Sequence, residues 1–583
     1  LQQDYVSTAE ASPISIQYKA TADRAIRIQV RPDLTTPLLI EKAVNSGIGV
    51  ISFVGARHVT IDGRIGNNAC HSGYGLIVRN TMAPVVNQNF GVGRTCISLH
   101  NDAKQIEIKG LQLEIPDNGI SFDNTLGTQG CDSITIAYNK FMPRNDLLNT
   151  NCFVYGVRFS HYGTTPPVNS NNILIDNNYF DNCAVSVWTL YGMDGLLTVT
   201  NNHVYRSVNN NPGPSFNAFM TFNHSVASAK QYMITGNYFG GTQAFCGGAK
   251  MNIRGVSNNL MILENLLSTT TKSVFSGNHF ENFESTLSNG IKMVYIPGGV
   301  WDIIGNNFGN PLVTTDIQSA SASSWTCLEF MSNSNATTNS LSNRIIGNSF
   351  NNLSLGNAGG TDFYGIYYSG NVQSVIDSNR FNHIHSSFLT RFFLVQSSVL
   401  NVLNNQTNYF RRNIAEDIQQ NSGTMYDAAL FSILNSGGSS NWEIVGNRIG
   451  SLNTPNSIVL NAPNIIPFRV TLQSGISRLD SNSVAQVSLT SSNNTTSQVV
   501  MDIEATYLSS CAYNQIHTIT SQAKPYEAET GIYYGGSLTG MRFQIGGSTN
   551  MSEIHHNRIE GLHATNTNPQ TNSIGVIGML YRG

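Results

Sequence analysis

Along almost the whole chain one short phrase recurs: a branched or large apolar residue, two small or polar residues, Asn, one variable residue, then a large apolar residue. It reads Ile136-Ala-Tyr-Asn139-Lys-Phe141, Ile175-Asp-Asn-Asn178-Tyr-Phe180, Val199-Thr-Asn-Asn202-His-Val204, Ile234-Thr-Gly-Asn237-Tyr-Phe239 and Phe275-Ser-Gly-Asn278-His-Phe280. It continues with Asn306, Asn348, Asn379, Asn447, Asn482, Asn514 and Asn557 at its fourth position. A repeat of about 25 to 45 residues, made of short β-rich phrases between polar stretches, is the pattern of a solenoid. The expectation is an all-β fold, a right-handed parallel β-helix with Asn-rich coils and long corner loops, extended as a rod.

The Asn has a structural explanation. Stacked at one position of successive coils, it can sit in a turn, tolerate a left-handed backbone and hydrogen-bond its neighbours through both ends of its amide. The flanking Ile, Val and Phe alternate with a period of two, which places them on the inward face of strands. Shorter runs such as Ile14-Ser-Ile-Gln-Tyr18, Ala25-Ile-Arg-Ile-Gln-Val30 and Lys104-Gln-Ile-Glu-Ile-Lys109 read as further strands, with Gly, Asn and Pro at the corners. Three runs per coil fit a three-faced solenoid.

A chain of 583 residues would ordinarily divide into several domains, because single cores stop growing at roughly 250–300 residues. Solenoids escape that limit, since each coil contacts only its neighbours. The expected organisation is one continuous β-helix over 1–583, with opening strands in 1–60 and repeated coils in 61–583. The terminal run from Ile574 to Gly583 reads as one more strand without a cap, so the expectation is a segment of a longer chain.

Charged residues make up 11% of the chain, 32 basic against 35 acidic, and no Lys/Arg cluster stands out beyond Arg411-Arg412 and the stretch Arg24 to Arg31. That balance lacks the electrostatic footprint of a nucleic-acid partner. No apolar run reaches the length of about 20 residues that spans a bilayer. Eight cysteines are widely spaced with no C-x-x-C pair, so each reads equally as a small inward-facing apolar residue or as a disulfide partner, with one or two disulfides at most expected, among Cys70, Cys96, Cys131 and Cys152. Neither a metal nor a cofactor is expected.

The order Arg27-Ile-Gln-Val-Arg-Pro32, then Gly49-Val-Ile-Ser-Phe-Val-Gly55, Val59-Thr-Ile-Asp-Gly-Arg64 and Leu76-Ile-Val-Arg-Asn-Thr81 resembles the β-helix regions of very large cell-surface proteins of Bacteroidota. The specific match covers about residues 20 to 140, and the Asn repeat extends it. The resemblance implies a parallel β-helix and a secreted or cell-surface location, with export through type IX secretion. It implies no particular chemistry.

An enzyme of this architecture would need its acid and base groups gathered on one sheet. Hydrolysis of a glycoside takes two carboxylates roughly 5–10 Å apart, and no Asp-Asp or Asp-x-Asp phrase occurs. Asp176, Asp377 and Asp480 occupy one position of the repeat, but other coils carry Thr200, Thr235, Ser276, Val445 or His555 there. The histidines His383, His385, His555 and His556 have no recognisable third ligand. The most compact acid–base trio is His279, Glu281 and Glu284.

Segments 142–172, 205–231, 309–343, 351–374 and 406–442 read as long loops rich in Asn, Ser, Thr, Gly and Tyr. Aromatics in or beside them include Tyr155, Phe159, Trp188, Trp325, Tyr364, Tyr367, Tyr368, Tyr409 and Phe410. Such rings either stand beside neutral hydrogen-bonding groups as a glycan surface or simply cover the solenoid. With no catalytic cluster in the sequence, the leading expectation is a non-catalytic stalk, filament or adhesin. Its partners would be glycans or cell-surface ligands, with self-association into an oligomer or fibre. The alternative is a polysaccharide lyase or glycoside hydrolase with a groove on one parallel sheet.

Overall fold

The computed structural model describes residues 13–45, 48–65, 73–83, 93–123, 130–147, 154–160, 170–189, 193, 195–208, 219–222, 230–253, 259–265, 271–286, 290–314, 316–319, 324–331, 341–356, 362–370, 373–387, 389–398, 406–421, 428–437, 440–461, 465–473, 475–490, 498–522, 538–546, 552–565 and 576–582. They form a parallel β-helix, and the chain divides into two compact units, Leu1–Glu284 and Ser285–Gly583.

In most coils of the first unit the strands come in threes. Thr95–His100, Lys104–Lys109 and Leu111–Ile115 belong to a first, a second and a third sheet, and the next coil repeats the order with Asn118–Asp123, Asp132–Ala137 and Lys140–Pro143. Each strand pairs in parallel with its counterpart one coil away. Equivalent side chains therefore stack in register. The second sheet stacks Ile61, Ile108, Ile136, Ile175, Val199 and Ile234; the third stacks Leu113, Phe141, Phe180, Val204 and Phe239. All of these are buried, and each contributes roughly 1.5–3 kcal/mol through the apolar surface it removes from water.

The second unit is built the same way. Its first sheet stacks Val294, Leu328, Ile366, Phe393, Phe431, Phe468, Met501 and Met541. Its third sheet carries Phe308, Phe350 and Phe381, whose ring centroids lie 4.7 and 4.4 Å apart with nearly parallel planes. That separation is the inter-strand spacing of a sheet, about 4.8 Å.

The repeated Asn occupies the turn between second and third sheets. Asn178 shows the pattern: its Oδ1 accepts from Asn139 N at 2.9 Å and Asn139 Nδ2 at 3.1 Å, and its own Nδ2 donates to Ile136 O at 2.9 Å and Asn202 Oδ1 at 3.0 Å. In the first unit Asn139, Asn178, Asn202, Asn237 and Asn278 are linked in this way. In the second unit the links run through Asn306, Asn348, Asn379, Asn413, Asn447, Asn482, Asn514 and Asn557. Asn413 departs from the recurring phrase, because Phe410-Arg-Arg-Asn413-Ile-Ala415 ends in a small residue.

The left-handed residue of this turn is the one before the Asn. Positive φ falls on Tyr138, Asn177, Asn201, Ser378, Arg412 and Ser481, and on Gly236, Gly305, Gly347 and Gly446, with none of the ladder Asn residues among them. The reason is geometric: the Asn side chain must point inward to meet its neighbour, while the preceding residue turns the chain. Around Gly305 and Gly347 an added Cβ would meet nothing within 4 Å, so glycine is used there for its backbone freedom alone.

Each of the five stretches read as long loops contains strands. Tyr155–Ser160, Met220–Phe222, Trp325–Met331, Asp362–Ser369 and Ala428–Gly437 lie within them and are all first-sheet strands. They carry no Asn phrase to mark them. Cys96 and Cys131 are buried thiols, each pushed up to about 12 by burial, and the Cys96 Sγ donates to Glu114 O at 3.4 Å. This corrects the expectation of a disulfide at those two positions: both side chains serve as small inward residues. Cys70 and Cys152 lie outside the described residues.

Candidate functional site

The trio His279, Glu281 and Glu284 lies at the third sheet of the first unit. His279 Nδ1 and Glu281 Oε1 are 2.8 Å apart, whereas Glu284 Oε1 accepts from Asn252 Nδ2 at 3.2 Å. The His279 ring stacks on Tyr238 at 4.6 Å, and Tyr238 stacks on His203 at 4.9 Å. Register explains this stack, since Lys140, Tyr179, His203, Tyr238 and His279 occupy one outward position on consecutive strands.

Two residues further along two of these strands lie Asp181 and Tyr205, which are paired in register. Burial raises the Asp181 carboxyl above its ordinary value, against the lowering effect of bonds from the Ser207 amide and hydroxyl. Burial also raises the Tyr205 phenol. Shifts of this kind often mark active sites, but the bonding here has another purpose. Asp181 accepts Ser207 N at 3.0 Å, Ser207 Oγ at 2.9 Å and Asn182 Nδ2 at 2.7 Å. His203 Nδ1 accepts Phe245 N at 3.1 Å. With Asp181 4% and His203 3% exposed, these groups hold chain segments against the sheet.

The histidines of the second unit are dispersed. His383 pairs with Asp417, His385 is an exposed residue of the strand Arg380–Ser386, and His555 and His556 approach each other at 2.7 Å beside Tyr513. No group of three metal-binding side chains occurs among the described residues.

The first sheet of the second unit presents a different outer face. Its strands Ile291–Gly298, Trp325–Met331, Asp362–Ser369 and Leu389–Ser398 align two outward rows. One row is Lys292, Thr326, Tyr364 and Arg391; the other is Tyr295, Glu329, Tyr367 and Leu394. Lys292 Nζ binds Glu329 Oε1 at 2.8 Å and sits 4.5 Å from the centre of the Tyr295 ring. Arg391 donates to the Tyr364 hydroxyl at 3.0 Å. The Tyr364 and Tyr367 rings are 5.6 Å apart and tilted by 55°.

Both phenols are raised, chiefly by burial. For Tyr364 the Asp362 carboxylate adds to the rise against the lowering by Arg391, and for Tyr367 the Glu329 carboxylate adds to it. They remain neutral donors at neutral pH. Lys292, Tyr295, Tyr364, Tyr367 and Arg391 are all partly exposed, whereas the Glu329 side chain is only 9% exposed. The face thus combines rings for apolar contact with fixed donors and acceptors, the combination that a sugar's ring faces and hydroxyls need.

Tyr364 and Tyr367 stood among the loop aromatics of the sequence; Lys292, Tyr295, Glu329 and Arg391 did not stand out. Strict alternation conceals the face, because two consecutive buried residues separate the outward ones: Met293 and Val294 in one strand, Gly365 and Ile366 in another. A three-residue step between outward positions, repeated from coil to coil, is the signal that would have found it. Tyr368 faces inward, fully buried, with its hydroxyl accepting from Asn343.

No model of a known protein family matches the chain, and no curated protein matches it. Among solved structures, it is similar to the A-module of mannuronan C-5 epimerase AlgE6 of Azotobacter vinelandii, at 9% identity over 94% of this chain and 92% of that one, with a TM-score of 0.19. It is also similar to the PL6 family alginate lyase AlyGC, at 9% identity over 98% and 96% of the two chains, with a TM-score of 0.21.

Proposed function

We propose that the protein is a secreted or surface-displayed polysaccharide-binding protein whose working face is the outer side of the first sheet in the second unit. The observation that carries this reading is the pair of outward rows, in which Tyr295, Tyr364 and Tyr367 stand beside Lys292, Glu329 and Arg391 with their bonds already fixed. Preorganised polar groups lose little freedom on binding, so the rings contribute to affinity without a large ordering cost. An adhesive role follows from such a face, and no helix among the described residues is long and apolar enough to cross a membrane.

A second reading, cleavage of the bound glycan, is favoured by one feature: the largely buried Glu329 carboxylate held at 2.8 Å from Lys292. An acid–base pair of that kind is what a lyase or hydrolase sets against its substrate. One experiment separates the two. The protein is passed over a panel of immobilised neutral and acidic polysaccharides, and the eluates are assayed for new reducing ends and unsaturated products. Retention without product supports binding. Product that disappears in Glu329→Gln supports cleavage, and absence of both retention and product from every polysaccharide would sink the proposal.

A further inference from the structure

Resting on that reading, we infer that the face takes a neutral pyranose polymer laid across the strands, with alternate sugars meeting Tyr295 and Tyr367. Charge comes first. The described outward side chains of the face carry Lys292 and Arg391 against Glu329 and Asp362, the first pair joined directly and the second meeting at the Tyr364 hydroxyl. The formal charges cancel. A uronate or sulfated polymer would bring its own anions beside Glu329 and Asp362 with no surplus cation to receive them, and like charges at an interface are repulsive.

Spacing comes second. Tyr295 and Tyr367 belong to one outward row and are separated by a single intervening strand, whose residue in that row is Glu329. Two strand spacings are roughly 9.6 Å, comparable with the length of a disaccharide in an extended chain. Rings at both ends of that interval can each cover a sugar face, while the Glu329–Lys292 pair between them addresses the hydroxyls of the sugar in the middle. Acceptor and donor side by side suit adjacent hydroxyls, which present both functions together. The neighbouring row supplies Tyr364 and Arg391 to the same chain from the side.

The test is calorimetric titration of the full chain with β-1,4-linked neutral oligosaccharides of two, four and six sugars, and with uronate oligomers of equal length, at low and high salt. The expected result is a gain of about tenfold or more from the disaccharide to the tetrasaccharide, little change with salt, and weaker binding of every uronate. Tyr295→Ala and Tyr367→Ala should each lose about tenfold, while Tyr367→Phe, which keeps the ring, should stay within about threefold of the parent. Salt-sensitive preference for uronates would overturn the inference and leave the proposed function standing. Equal affinity for the disaccharide and tetrasaccharide would also overturn it. Failure of both oligomer classes to bind, with the variants folded, would overturn the inference and the proposed function together.

Discussion

The third-sheet face of the first unit and the first-sheet face of the second draw on the same inventory. Each gathers a lysine, a carboxylate and two tyrosines on consecutive coils: Lys140, Tyr179, Asp181 and Tyr205 in one, Lys292, Glu329, Tyr364 and Tyr367 in the other. In the first the lysine stands 4.0 Å from the carboxylate, which is engaged by Ser207 and Asn182; in the second the lysine itself binds the carboxylate at 2.8 Å. Asp181, whose carboxyl burial raises, is thus committed to its own chain. A shifted carboxyl identifies a working site only when its remaining bonding capacity faces a ligand, and Asp181 spends its capacity on its own chain.

The largest effect should come from the ladder beneath the first of these faces. Asn178→Ala removes four hydrogen bonds and leaves buried partners on both neighbouring coils, so it should cost on the order of 3–5 kcal/mol, read as a fall in denaturant midpoint. Next, Asp181→Ala should cost about 2 kcal/mol, because the Ser207 amide and hydroxyl lose a charged acceptor, yet leave glycan retention unchanged. Loss of retention in that variant would break the comparison. The converse substitution, Tyr364→Ala with Tyr367→Ala, should weaken glycan retention by about 1.4 kcal/mol or more, a factor of ten, while shifting unfolding by less than about 1 kcal/mol.

The remaining effect is in pH, and two carboxylates of the first unit give it opposite signs. Asp181 has a raised folded value, so the folded state holds its proton where the unfolded chain has released it; stability falls as pH rises above the ordinary value of about 4 toward the folded one. Asp62 is opposed by burial, but Arg64 and then Arg27 outweigh that and hold it down to about 2. Its contribution is present above about pH 4 and is lost as pH falls toward 2. Unfolding curves across pH 2 to 7 for Asp181→Asn and Asp62→Asn should each lose the corresponding slope.

The fold was legible because the Asn turn repeats a local sequence and a local geometry together. Wherever Asn is followed two residues on by a large apolar residue, the turn between second and third sheets is visible in the letters. Asn413 escaped because Ala415 fills that place, although steps of 34 residues to Asn379 and to Asn447 leave room for one coil there. First-sheet strands such as Asp362–Ser369 escaped for a different reason. They have no turn marker of their own, and the paired inward residues Gly365 and Ile366 interrupt the period of two. The candidate face lies on those strands, so the part of the molecule proposed to bind glycan was the part least visible in the pattern.

Covalent labelling of exposed side chains by hydroxyl radicals, with and without a retained polysaccharide, tests the central claim most directly. The account predicts that the glycan protects Tyr295, Tyr364 and Tyr367 and leaves Tyr179 and Tyr238 unchanged; protection of Tyr179 and Tyr238, with the second unit's tyrosines labelled as before, would contradict it.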